Sequence, residues 1–550
     1  MIRRRHIVLA GLLAILFGLG WWVGRGGATG SDLYQNLDVF VEVLQKVEQS
    51  YVDPVDSRVL VEGALKGMLK DLDPYSQFLD ARSWENLQAT THGSFGGIGI
   101  VVSVRDNFPT VISPIEGGPA WTLGLRSGDV IVRIEGRSSA GLTVEEVATR
   151  LRGPAGTSVS ISVRREGEAG EHDYAIERQV IVTRSVPYAF VTEDRIGYLR
   201  LADFSENSGR EVRAALDRLR AQGATKLVLD LRSNPGGLLD QAVDVVEQFV
   251  APNTLVVFTK GRARGQSNRY YSEEKQPLLD WPLVVLVNVA SASASEIVAG
   301  ALQDLDRALL VGQTSFGKGS VQSVFPLSGK TAALKLTTSR YYTPSGRSIH
   351  RATHGRLLAA GLEERDGKIL PEDEDDETTA NEAPPSAPAD SAPGPLFRTN
   401  DGRPVYGGGG IRPDAVVIPD SLPPLTRRVE SRGLAFRFAN RWINTHEGWT
   451  LETALTDELR RDFAAFLEAE KVPATAAELA SERVMLDRAV RRELARRLGG
   501  DAAAARVALT GDPVFARARA VLSRARTPRG VFAAISAVPE AQSERRAIAH

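Results

Sequence analysis

The chain contains no cysteine among its 550 residues. That excludes disulfides, thiolate metal sites and a cysteine nucleophile, and leaves the cellular compartment open. Histidine is scarce, with seven in all: His6, His92, His172, His350, His354, His446 and His550. None sits beside a serine in a triad-like motif. His350 and His354 are four residues apart, but no glutamate on a stable helix accompanies them as a zinc site would require. Net charge is missing too: 67 Lys and Arg against 68 Asp and Glu leave −1, which offers no electrostatic case for nucleic acid. The sequence therefore calls for no metal, no cofactor and no nucleic-acid partner.

What is present centres on residues 284–322. Residues 284–289 form an apolar, mostly β-branched run that reads as a buried strand. The small-residue turn Ala290-Ser291-Ala292-Ser293-Ala294-Ser295 follows, and residues 296–302 carry helical spacing. A serine hydroxyl where a strand passes into a helix is well placed for a nucleophile. The first N–H groups of the helix lack intrahelical partners and can stabilise an oxyanion. The same residues allow a plainer reading, since Ser293 and Glu296 have the S-x-x-E spacing of a capping box. Lys318, in Phe316-Gly317-Lys318-Gly319-Ser320-Val321-Gln322, tips the balance. Its flanking glycines suit a tight turn that presents one side chain. Gln322, four residues on, can hold that side chain. A lysine in a dry pocket loses its charge and can take the proton of a serine hydroxyl. The segment from Gly312 to Lys318 also fits G-x-x-x-x-G-K. A phosphate loop needs Ser or Thr next and then a helix, whereas Gly319 and a strand-like alternation follow.

Along the chain, Arg3-Arg4-Arg5 precede an uncharged apolar run over residues 7–23, the pattern of an export signal. The run is at the lower edge for a membrane span. It reads as an uncleaved signal-anchor, with a cleaved signal peptide as the alternative. The rest of the chain is then exported to the cell envelope or periplasm and tethered to the inner membrane. Residues 31–93 read as helices, with Asp32 capping the first and Asp53-Pro54 and Asp73-Pro74 breaking them. Residues 94–180 resemble a PDZ domain. Phe95-Gly96-Gly97-Ile98-Gly99-Ile100 is a glycine-rich turn running into a strand, where the amides of Ile98, Gly99 and Ile100 can capture a peptide carboxylate. Pro119-Ala120 and the run from Gly124 to Ile131 form the second part of that signature. Residues 181–425 have a βαβ rhythm. They include Asp230-Leu231-Arg232-Ser233-Asn234-Pro235-Gly236-Gly237, whose glycine pair is a turn on the plain reading. With Ser293 in view, the N–H of Gly236 or Gly237, together with that of Ala294, becomes an oxyanion donor. Residues 350–409 form an insert with an acidic run and a Pro/Ala/Ser-rich stretch, read as a loop or disorder. Residues 426–550 are Ala-, Arg- and Leu-rich and helical, with breaks at Pro473, Gly499-Gly500 and Pro513. Trp442, Phe463, Phe466 and Leu467 are expected in a core.

The S-A-S-A-S-E turn, the F-G-K-G-S-V-Q turn and the D-L-R-S-N-P-G-G segment together resemble the carboxyl-terminal processing peptidases, also called tail-specific proteases. The resemblance spans roughly residues 32–425. It departs at Ala290, where the family often has glycine, and at the insert. It implies a multidomain α+β protein: a crotonase-like α/β serine peptidase core, a PDZ domain, and helical N- and C-terminal regions. It implies Ser293 as nucleophile, Lys318 as general base, Gln322 orienting the lysine, and an oxyanion hole at the Gly236-Gly237 pair. The expected activity is serine endopeptidase action on unfolded or tail-exposed exported proteins, recognised at their C-termini by the PDZ domain. The resemblance also implies homo-oligomerisation with dimer contacts from the N-terminal helices, for which internal packing is an equal alternative, and an adaptor protein is a further expectation. The competing readings are an inactive PDZ scaffold, against which the intact Ser293, Lys318 and Gln322 argue, and a nucleotide hydrolase, against which Gly319 argues.

Overall fold

The computed structural model describes residues 28–538, except 166–167, 169, 328, 330, 352–361, 366–367, 372–393 and 447. The apolar run at 7–23 and the acidic run at 372–377 lie outside the described residues. Among the described residues no helix is long and apolar enough to cross a membrane.

The chain divides into two compact units. The first comprises residues up to Ala81 together with 324–336. It holds helices Ala28–Ser50 and Ser57–Lys70 and the short strand Gln77–Leu79. That strand pairs antiparallel with residues 333–335, Phe78 opposite Leu334. The first helix begins four residues ahead of Asp32, so Asp32 is not its cap; Ala28 favours the helix enough for it to extend backwards past Gly30. The second helix is capped as its sequence suggests, the Asp56 carboxylate accepting from Arg58 N–H at 2.9 Å.

The second unit begins with the remainder of helix Ala81–His92 and then a small antiparallel sheet. Its strands run in the order Ile100–Arg105, Phe108–Pro114, Val130–Ile134, Ser158–Arg164, His172–Glu177. Inward residues alternate along them: Val159, Ile161 and Val163 are buried while Ser158, Ser160 and Arg164 are exposed. Helix Val144–Leu151 closes this core by setting Val147 and Leu151 against Ile98, Val111 and Ile131. Strand Ile100–Arg105 pairs on one side only and forms the edge of the sheet.

The larger sheet comprises β1 (Ala189–Val191), β2 (Ile196–Arg200), β3 (Lys226–Asp230), β4 (Leu283–Val287), β5 (Leu309–Gly312) and β6 (Ala415–Val416), in that order. β1 is antiparallel to β2 and the others are parallel. Every residue of β4 is buried, as a parallel strand covered on both faces must be. One face carries helices α1 (Ser208–Ala221), α2 (Leu239–Glu247) and α3 (Ala294–Asp304), packed on Leu229, Val285 and Val287. The opposite face, with Val228, Val284 and Leu286, is covered from the C-terminal region by helices Pro513–Arg524 and Gly530–Ala537. Helices Leu434–Thr445, Asp457–Ala469 and Arg483–Leu509 build a further core holding Trp442, Phe463, Phe466 and Leu467. The last of these bends at Gly499-Gly500, where Gly500 takes φ +71°.

The insert is less loop-like than its composition suggests. Leu362–Arg365 and Lys368–Pro371 form a hairpin, and so do Leu396–Arg398 and Pro404–Tyr406. The second hairpin is fixed from far away in sequence: Arg403 Nε lies 2.7 Å from Asp306, and the same guanidinium bonds Asp414.

Candidate active site

Ser293 stands where β4 turns into α3, at φ +54° and ψ −114°, a region that non-glycine residues rarely occupy. Such a conformation costs on the order of 1–3 kcal/mol and persists only where its surroundings over-determine it. Here they do. The Glu296 side chain is fully buried and its carboxylate accepts four hydrogen bonds. Ser293 N–H and Lys318 N–H both donate to Oε2, each at 2.9 Å. Ser315 Oγ at 2.5 Å and Gly317 N–H at 2.7 Å donate to Oε1. One carboxylate thus joins the serine turn to the lysine turn. Burial pushes the Glu296 carboxyl above the ordinary carboxylate range, against the pull of these donors.

A second tie runs through Tyr341, itself buried. Its hydroxyl lies 3.0 Å from the Ser293 carbonyl oxygen and also bonds the Lys318 carbonyl. The capping pattern at Ser293 is half realised. The Glu296 carboxylate takes the Ser293 N–H, but Glu296 N–H goes to the Ser293 carbonyl, and the Ser293 hydroxyl forms no cap. The neighbouring serines are the structural ones: Ser291 Oγ donates to Leu231 O and Ser295 Oγ to Asn234 O, both at 2.9 Å.

These last bonds seat the serine turn on the glycine-pair turn after β3. Asn234 is fully buried; its Nδ2 donates to Leu201 O and its carbonyl accepts Ala292 N–H. Gly236 spends its N–H on Asn234 Oδ1 at 2.9 Å. Gly237 is exposed, and neither its N–H nor that of Ala294 has a hydrogen-bond partner among the described residues. A methyl group on Gly236 would lie 2.7 Å from Ala292 O and 2.8 Å from both Ala294 N and Ser293 Cβ. Close approach of the two turns therefore requires glycine here, quite apart from its φ of +97°.

The base of this turn is a buried charge cluster. Asp230, at the C-terminal end of β3, accepts from the Tyr198 hydroxyl at 2.6 Å and pairs with Arg232 at 2.6 Å. Burial alone would raise its carboxyl; Arg232, Arg200 and the Tyr198 hydroxyl outweigh that and hold it below the usual range. Arg232 also reaches Asp512, 2.5 Å away, the N-cap of the helix beneath the sheet.

The lysine turn needs its glycines as well. Gly317 has φ +96°, and a Cβ at Gly319 would meet His350 N at 2.7 Å. A strand, Ser320–Pro326, follows where a phosphate loop would place a helix. On it, Gln322 Nε2 donates to Ser320 Oγ at 3.0 Å and Thr337 Oγ1 at 3.2 Å. In the smaller sheet, Ile98 and Gly99 are buried, and their N–H groups have no acceptor among the described residues. They lead into Ile100 on the free sheet edge, so the glycine-rich turn and the strand edge adjoin. Helix Val144–Leu151 lies beside that edge.

Sequence reasoning sees Glu296 only as a capping residue. The run Tyr341-Tyr342-Thr343-Pro344-Ser345-Gly346-Arg347-Ser348-Ile349 reads as a further family signature. Its Tyr and Arg either line the substrate cleft or pack, packing being the safer reading. A signal for Glu296 was available: a carboxylate in the first turn of a helix whose every residue is buried demands several donors. Nothing local marks Tyr341. Arg347 of the same signature is wholly buried and pairs with Asp304 at 2.8 Å.

A family model described as peptidase family S41 matches residues 195–355. Others described as a PDZ domain and as the activating protease CtpB N-terminal domain match residues 110–165 and 25–83. A carboxy-terminal-processing protease of Bartonella bacilliformis is 43% identical over 322 residues, 58% of this chain and 73% of that one. A carboxyl-terminal-processing protease of Synechocystis is 38% identical over 313 residues, covering 56% and 72% of the two chains. Carboxy-terminal processing protease CtpA of Bacillus subtilis is 33% identical over 346 residues, 63% of this chain and 73% of its own.

Proposed function

Because this chain belongs to the carboxy-terminal processing protease family and is a serine-type peptidase with a PDZ domain, we propose that it cleaves exported proteins with a Ser293–Lys318 dyad. The PDZ domain binds peptide C-termini, and we assign that role to the amides of Ile98, Gly99 and Ile100 beside the free strand edge.

In this reading the neutral Lys318 amine takes the Ser293 proton as Oγ attacks the scissile carbonyl carbon. The oxyanion is held by the N–H groups of Gly237 and Ala294, Gly236 having spent its own on Asn234. Collapse of the tetrahedral intermediate breaks the C–N bond, and the Lys318 ammonium returns the proton to the departing amine. Water then attacks the acyl-enzyme with Lys318 again as base. Gln322 orients the lysine turn through Ser320 and Thr337. The observation that carries this reading is the single buried carboxylate, Glu296, bonded to the backbone of both proposed catalytic residues.

The core is crotonase-like and is flanked by helical N- and C-terminal regions. The chain works in the cell envelope or periplasm, held to the inner membrane by residues 7–23. It forms a homo-oligomer through helix Ala28–Ser50, where Tyr34, Leu37, Phe40 and Val41 are exposed. An adaptor delivers some substrates.

The test is degradation of an unfolded reporter carrying apolar or charged C-termini. Ser293→Ala and Lys318→Ala should each abolish cleavage and keep reporter binding. Cleavage that survives Ser293→Ala removes the dyad, and binding without cleavage by the unaltered chain would make it a scaffold.

A further inference from the structure

A cleft of about 440 Å³ separates the small antiparallel sheet from the C-terminal helices. It lies at the Arg105 end of strand Ile100–Arg105, away from the glycine-rich turn that precedes Ile100. Seven arginines and four carboxylates line it, an excess of three positive charges. The carboxylates are already taken. Arg165 grips Asp129 through two bonds of 2.7 and 2.8 Å. Arg126 reaches Glu168 at 3.3 Å, and Arg437 bonds both Asp106 and Glu470.

Four guanidinium groups are left over, those of Arg105, Arg164, Arg441 and Arg497, with Arg164 set over the Phe108 ring at 5.8 Å from its centre. Arg105 stacks on Phe436, its Cζ 4.3 Å from the ring centre, and donates to Gly433 O at 3.2 Å, with no carboxylate in reach of an ion pair among the described residues. Arg441 and Arg497 make no side-chain hydrogen bond or ion pair among the described residues. Arg497 is half-buried; burial, and then the like charges of Arg126 and Arg165, push its pKa down, against the pull of Asp129. A buried donor is unused at the same wall, since Arg437 Nε has no hydrogen-bond partner among the described residues. Half-buried charge whose nearest carboxylates are already engaged by other arginines is costly, and guanidinium planes match phosphate and carboxylate oxygens in pairs.

We propose that this cleft is a binding site for a small polyanion carrying two or more phosphate or carboxylate groups. Such a ligand bridges the peptide-binding domain and the C-terminal helices, because Arg105 comes from the first and Arg441 and Arg497 from the second.

Pyrophosphate and citrate, titrated separately into the full-length protein by calorimetry, distinguish the two oxyanion chemistries. At least one should bind, and Arg441→Gln with Arg497→Gln should weaken that binding by about tenfold to hundredfold. Either probe binding supports the site and names its class. Arg497→Gln alone should raise the melting temperature without anion, by relieving an unpaired charge, and shrink the rise that the anion produces. A residue with a merely structural role would lower it. Absence of heat from both probes at millimolar concentration overturns the proposal, as does binding that the double variant leaves unchanged. A thermal rise that sodium chloride reproduces at equal ionic strength reflects screening alone and overturns it too.

Discussion

At Gly236 a single methyl group stands between a formed and a displaced Ser293 turn. Three atoms of the serine turn lie within 2.8 Å of where that methyl would sit, two of them backbone, so no side-chain rotation can relieve the clash. Gly236→Ala should therefore move Ser293 rather than unfold the protein, and misplacement of this kind costs about a hundredfold in rate. Turnover of a reporter peptide alongside a melting curve checks this; near-native kcat would show that the turn has slack. The residues that oppose the strain at Ser293 were only partly legible. Ser293 and Lys318 stand out only in combination, because the serine turn alone reads as a cap and the lysine turn alone as a phosphate loop. Glu296 hides inside a common capping pattern. Its partners at 315, 317 and 318 become visible only once the two turns are side by side.

The turn that follows β3 ties two faces of the sheet together through Asp230. Its folded pKa lies below its unfolded one, so its contribution to stability is complete above about pH 4 and is lost as pH falls through the lower folded value. Arg232→Met leaves that carboxylate buried without its main partner, which should cost about 3–5 kcal/mol at neutral pH. The carboxyl then titrates above its unfolded value, so part of the loss should return on acidification. Urea midpoints of variant and parent at about pH 7 and about pH 5 test the sign; a gap of equal size at both would refute the assignment. Elements of this sheet are readable because buried parallel strands are continuous apolar runs. The Leu396–Arg398 and Pro404–Tyr406 hairpin was not readable. Composition marks its surroundings as loop, whereas Asp306, about a hundred residues earlier, supplies the ion pair that orders it.

For the molecule as a whole, the C-terminal helices are part of the peptidase rather than an appendage. Phe515 is buried edge-on against Tyr198 of β2, with ring centres 5.8 Å apart, within the cluster that holds Val284 and Leu286. Phe515→Ala should cost about 3–5 kcal/mol, read as a shift of a single unfolding transition that also carries the active-site sheet. Two separate transitions, with only the later one unaffected, would mean that the helices fold on their own. The sequence indicates that these segments are helical and amphipathic. It does not indicate what they cover, because an apolar stripe carries no address. The placement also bears on the order in which the molecule comes apart. Val531 and Ala534 of the last described helix are sunk into the core against the Val284 and Leu286 face of the sheet, so releasing that helix bares the sheet whose strand leads into Ser293.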